Sequence, residues 1–233
     1  MGMGAPTGTT TRTNTAQKPM TTDATLTLAQ WFSPAYPVGA FAYSHGLETA
    51  IEGGVVHDVD TLRAWIAPVL THGSGRNDAL FLAAAFHGDA ARVDEHCRAF
   101  TSSAERLMET TQQGAAFAAT TRAIWPIDLP DYAYPVAVGR AAHLLGLPLK
   151  LTTQYYLQAF ASTLVSVGIR LIPLGQTQGH ALIHALSPLC KTIAQDTAQD
   201  TAQGDLDTLS GTAFLADIHA MQHETLYSRT FRT

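Results

Sequence analysis

The sequence predicts an all-α fold, a single compact bundle of about eight to ten helices. Three observations carry this. Apolar residues recur at the three-and-four spacing of a helix face along most of the chain. No stretch alternates apolar with polar residues in the manner of a strand, and no hairpin dipeptide joins two β-branched runs. Cap and stop residues fall between the periodic segments. With 233 residues, 46% of them apolar, the chain can bury a sizeable core and is not disordered as a whole.

In chain order, residues 1–23 are rich in Thr, Gly and Pro and read as a disordered tail, followed by a helical domain over 24–220. Residues 33–48 (SPAYPVGAFAYSHGLE) form a loop, because two X-Pro steps force an extended path and Gly39 permits a turn. Val59, Leu62, Trp65, Ile66, Val69 and Leu70 then share one helix face, with Asp58 placed to cap it. Helices over 79–86 and 90–100 are separated by His87-Gly88-Asp89, a stop followed by an N-cap. Ser102 or Ser103 with Glu105 opens a long helix that Pro126 ends near Trp125. Helices over 134–145, 149–171, 176–194 and 206–227 complete the set. Between the last two, the polar repetition AQDTAQDTAQG at 194–204 reads as a surface loop or frayed helix end. Residues 155–167 contain no charge, so that helix is covered on every side, either as the centre of the bundle or in a subunit interface.

Charged residues make up only 14% of the chain, against about 25% in ordinary soluble domains. A net charge of −5 with its 14 basic residues scattered excludes nucleic-acid binding, which needs clustered Lys and Arg. Apolar runs are interrupted well before the ~18–20 residues that span a bilayer, and Pro6 stands where N-myristoylation requires Ser or Thr. With no secretory-type leader, the expected location is cytoplasmic. Cys97 and Cys190 lie far apart outside any CxxC and read as buried thiols.

Four arrangements invite a chemical reading. Gly175-Gln176-Thr177-Gln178-Gly179 has the outline of a hydrolase elbow, but no strand precedes it and a joint between two helices explains it better. His180/His184 and His219/His223 sit at the i,i+4 spacing of a shared metal, yet both pairs lack the Glu of the metalloprotease motif and read as surface or interface histidines. The aromatic loop either packs on its own bundle or turns Tyr36, Phe41 and Tyr43 towards a partner. There is no phosphate loop, dinucleotide fingerprint, carboxylate pair or Cys/His framework. The residues therefore point to no active site, cofactor or metal, and leave open a generic helical adaptor or a His-pair metal-binding protein.

The 33–48 segment, the stretch VSVGIRLIPLGQTQG at 165–179 and the C-terminal MQHETLYSRTFR at 221–232 together closely resemble the urease accessory protein F family, in family order over residues 26–233. Ser103-Ala104-Glu105-Arg106 departs from the family's usual run in the middle helix, and 194–204 looks like an insertion. The resemblance implies a cytoplasmic, all-α, non-enzymatic homodimer that helps load nickel into apo-urease. Its implied partners are urease accessory protein D/H and the GTPase accessory protein G, whose GTP hydrolysis it is proposed to modulate. By the same analogy Arg170, Gln176 and Thr177 lie near the dimer or GTPase surface, although Arg170 is also placed to bond the last carbonyls of its helix. Residues 221–233, with no further helix to pack on, become a partner-binding tail. Met221, His223, Glu224, Tyr227, Ser228, Arg229, Phe231 and Arg232 supply its aromatic and Arg-rich composition.

Overall fold

The computed structural model describes Met1 and residues 22–201 and 206–232. It is an all-α bundle, with ten α-helices and one short 3₁₀ turn among the described residues. The tail expected over 1–23 lies outside the described residues apart from Met1 and its last two positions, where α1 (Thr22–Trp31) has already begun. After the 3₁₀ turn Ala40–Ala42 come α2 (Leu47–Glu52) and α3 (Val59–His72). Asp58 caps α3 as expected, accepting from Thr61 N at 2.8 Å while the Thr61 hydroxyl receives Asp58 N at 3.0 Å. Next are α4 (Ser74–His87) and α5 (Ala90–Ala99), divided at Gly88-Asp89, and α6 (Ala104–Ile124), capped by Ser103. The remaining helices are α7 (Tyr134–Leu144), α8 (Leu149–Leu171), α9 (Gln176–Asp200) and α10 (Phe214–His223).

The bundle is arranged around α4. Residues 77–85 of α4 are all buried, and the helix packs on α3, α5, α7, α8 and α9. One apolar core lies between α2, α3, α8 and α9, around Leu62, Ile66, Leu70, Leu157, Leu164 and Leu186. A second joins α1, α6 and α7, where Trp31 and Phe117 meet edge to face at 5.1 Å. Close approach is enforced by glycine: a Cβ on Gly139 of α7 would run into the Leu82 carbonyl of α4, and one on Gly114 of α6 into the Tyr132 carbonyl.

One sequence expectation is narrowed and two are corrected. Of the two places open to the uncharged 155–167 segment, the centre of the bundle belongs to α4, and α8 keeps a half-buried stripe through Gln154, Gln158, Ser162 and Ser166. The polar repetition is neither loop nor frayed end up to Asp200, because its period of four matches a helical turn and puts Ala194, Thr197 and Thr201 on the buried side of α9. Thr197 and Thr201 satisfy their hydroxyls on carbonyls one turn earlier, at 2.8 and 2.6 Å. Residues 202–205 of that repetition lie outside the described residues. Finally, 206–227 is not one helix. Residues 206–213 form an irregular strap tied to α4, with Asn77 exchanging bonds with Ser210 at 2.6 and 3.1 Å and Arg76 donating to the Thr208 carbonyl at 2.6 Å.

Candidate functional site

The three motifs singled out in the sequence converge on one face. The 33–48 loop buries two of its aromatics in its own chain. Tyr36 is 6% exposed and shares a 2.8 Å bond with the Thr121 hydroxyl, while Tyr43 is buried and donates to Gln112 Oε1 at 3.0 Å. Phe41 alone of the three turns outward, 41% exposed. The loop ends in two successive residues of positive φ, His45 at 54° and Gly46 at 74°. Gly46 is suited to this conformation and also leaves room for α10, whose Ala220 and His219 backbone lies where a Cβ would stand. His45 is a non-glycine held in the left-handed region, and its buried ring lies 3.0 Å from Glu109 Oε1 and edge-on to Phe160.

Behind the loop runs a buried ionic network. Arg106 reaches Asp78 at 2.6 Å and Glu109 at 3.1 Å, Tyr156 donates to Asp78 at 2.7 Å, and Gln113 donates to Glu109 at 2.9 Å. Burial alone would raise the Glu109 carboxyl, but the charges of His45 and Arg106 overcome it and hold the group down at about 2. The Tyr156 hydroxyl is pushed far up by burial and by Asp78. Small cavities of about 120, 30 and 40 Å³ border this network, each with Arg106 in its wall.

In front of the loop the C-terminal segment folds back onto the bundle, which overturns the expectation that nothing remains for it to pack on. Phe231, 4% exposed, joins the core of α2, α3, α8 and α9. Glu48 receives the backbone N–H of Thr230 at 2.7 Å and of Phe231 at 3.0 Å, and Arg232 N donates to the Ala42 carbonyl at 2.6 Å. Arg229 binds Glu105 at 2.6 Å and the Glu224 carbonyl at 2.7 Å, while Glu224 Oε1 accepts from Ala104 N at the start of α6. Arg170, in the last turn of α8, lies between two aromatic rings, 6.0 Å from the Phe41 centroid and 5.4 Å from that of Phe231, and donates to the Phe41 carbonyl at 3.2 Å. It thus spans loop, helix and C-terminal segment rather than only closing its own helix. Arg232 also bonds the Tyr43 hydroxyl. The outcome is a shelf with Phe41, Met221, Tyr227, Ser228 and Arg232 on its exposed side, beside an open groove of about 530 Å³ lined by Met108, Glu224 and Arg229.

Gln176 and Thr177 are exposed in the first turn of α9, where Gln178 bonds back to Gly175 N at 3.1 Å. The two His pairs part company. His180 and His184 are exposed, in line with the surface reading. His219 packs on Trp65 and His223 is fully buried, so the surface reading of that pair is corrected: its side of α10 faces the bundle because Gly46 lets the helix approach. Among the described residues no group of three or more His, Cys, Asp or Glu is arranged to hold a metal ion. The sequence alone assigned Glu48, Glu105, Arg106 and Glu109 no part in the site. Their signal was present: Glu105 and Glu109 stand four apart on the same side of α6 as Thr110 and Gln113, a polar stripe on an inward face.

Fold and site together define a helical bundle protein whose ionisable groups pin its own segments and whose C-terminal segment builds a surface shelf. The sequence model of the UreF family matches residues 56–187. The urease accessory protein UreF of Ruegeria pomeroyi is 54% identical over 212 residues, covering 89% of this chain and 96% of the relative. That of Roseobacter denitrificans is 51% identical over 217 residues, 92% and 96% of the two chains, and that of Rhodopseudomonas palustris 41% identical over 222 residues, 88% and 90%. The chain belongs to the UreF family.

Proposed function

We propose that this protein is a cytoplasmic urease accessory protein that acts without turnover, as a scaffold for nickel insertion into apo-urease. The C-terminal shelf docks accessory protein D/H, and the neighbouring Arg170, Gln176 and Thr177 region serves the GTPase accessory protein G, whose hydrolysis the contact modulates. The half-buried, uncharged stripe of α8, beside a groove of about 290 Å³ against Cys190 and Lys191 of α9, serves a homodimer contact. The observation that carries this reading is the convergence of three motifs, distant in sequence, on the single surface where Arg170 lies between Phe41 and Phe231.

Co-expression with proteins D/H and G tests it. A complex is expected on size exclusion, together with nickel-dependent activation of apo-urease. The double variant Met221→Asp, Tyr227→Asp changes two exposed side chains, so it should keep its helical circular dichroism and melting temperature yet lose the D/H partner. Continued co-elution would refute the docking role of the shelf. Arg170→Ala should cost about 1 kcal/mol of stability and weaken activation; unchanged stability, co-elution and activation together would sink its part.

A further inference from the structure

His223 has no solvent exposure, and both of its ring nitrogens meet carboxylates: Nδ1 lies 2.8 Å from Glu105 Oε2 and Nε2 lies 3.0 Å from Glu48 Oε2. A neutral imidazole offers one donor and one acceptor. Between two ionised carboxylates it would set a bare nitrogen lone pair against an anionic oxygen at hydrogen-bond distance. The imidazolium donates to both. Moving the proton onto either carboxylate would weaken bonds that draw on its negative charge. Glu48 already receives Thr230 N at 2.7 Å and Phe231 N at 3.0 Å, and Glu105 Oε1 receives Arg229 at 2.6 Å. Burial alone would raise the Glu48 carboxyl, but the bonds from His223, Thr230 and Phe231 outweigh it and keep the group below its ordinary value.

The groups facing His223 are Glu48 from α2, Glu105 from α6 and, through Glu105, Arg229 from the C-terminal segment. His219, one turn earlier on α10, faces Trp65 instead. Two carboxylates are thus balanced by two cations, the Arg229 guanidinium, which keeps its charge, and the imidazolium, which has a proton to give up. We infer that His223 is a proton-operated latch: the doubly protonated ring clamps α10 to α2 and α6, and loss of one proton frees the segment that follows it. What release does to docking rests on the partner reading above, whereas the latch itself is read on the isolated chain, so either can fail alone.

The test uses the full-length protein by itself. Nitrogen-15 spectra of the ring should report protons on both nitrogens of His223 at about pH 6. Hydrogen exchange at Thr230 and Phe231, corrected for the intrinsic rate, should lose protection by about tenfold per pH unit once the ring titrates, while α8 stays protected. Glu105→Gln supplies the discriminating variant. Its amide oxygen can keep Arg229 while its amide nitrogen donates to a neutral His223, so protection at Thr230 and Phe231 should no longer depend on pH. A ring carrying one proton at about pH 6, wild-type protection constant up to about pH 9, or a folded Glu105→Gln protein with the wild-type pH dependence would each overturn the latch. Should Glu105→Gln not fold, the wild-type ring spectra and exchange still decide.

Discussion

Arg106 and Glu109 are buried ions whose partners come from two other segments, Asp78 of α4 and His45 of the loop, and Tyr156 of α8 bonds Asp78 in turn. Breaking such a pair leaves an uncompensated buried charge, at a cost of about 3–5 kcal/mol. Glu109→Gln should therefore lower the urea midpoint strongly at neutral pH. The folded Glu109 carboxyl titrates at about 2 against an ordinary 4.5, so its stabilisation is complete above 4.5 and is lost as pH falls through the folded value. The wild-type midpoint should drop over that acid window, while the Glu109→Gln midpoint starts lower and changes less. Equal acid slopes in the two proteins would contradict this account. The cysteines behave as read from their spacing: both are buried, and burial lifts the Cys190 thiol to about 11 and the Cys97 thiol further.

At the scale of elements, several helix bounds were legible to within a residue or two, but the helix expected over 79–86 already begins at Ser74. The expected bounds 149–171 match α8, and Asp58, Asp89 and Ser103 cap the helices they were assigned. What failed was judged by composition instead of period. The 194–204 repetition looked polar, yet its four-residue recurrence kept one buried residue per turn. Conversely, 206–213 was read as the start of a helix running to 227, but the Asn77 and Arg76 side chains of α4 take its carbonyls. Gly211 between Ser210 and Thr212 is a local sign of the break, whereas Asn77, 133 positions from Ser210, leaves none. The joint between α4 and α7 is set by backbone contact at Gly139, so Gly139→Ala should destabilise the fold by more than the few tenths of a kcal/mol expected of a surface change. The measurement is a thermal melt beside an Ala substitution at exposed Gly211, where a Cβ would meet nothing.

For the molecule as a whole, an all-α bundle was legible from periodicity alone. The candidate site was legible only as three separate motifs, because their meeting depends on contacts between distant segments. Phe41 and Arg170 lie 129 residues apart. The surface is poorer in charge still because some of the few ionic groups are turned inward, where Glu48, Asp78, Glu105 and Glu109, with Arg106, fasten segments together. Among the described residues, no helix is long and apolar enough to cross a membrane.

The bonds between Glu48 and the C-terminal segment close a loop of about 180 residues, with Phe231 N and Glu48 separated by 183 positions. Contacts of such sequence separation are slow to form, so this clasp is expected to assemble after the bundle and to open first. In kinetic terms, Phe231→Ala should speed unfolding while leaving the refolding rate nearly unchanged, a φ-value close to zero, whereas Leu62→Ala in the middle of α3 should slow refolding. Stopped-flow refolding in urea separates the two. A chain built this way is expected to hold a finished bundle before its C-terminal shelf exists, which gives that surface a time of its own.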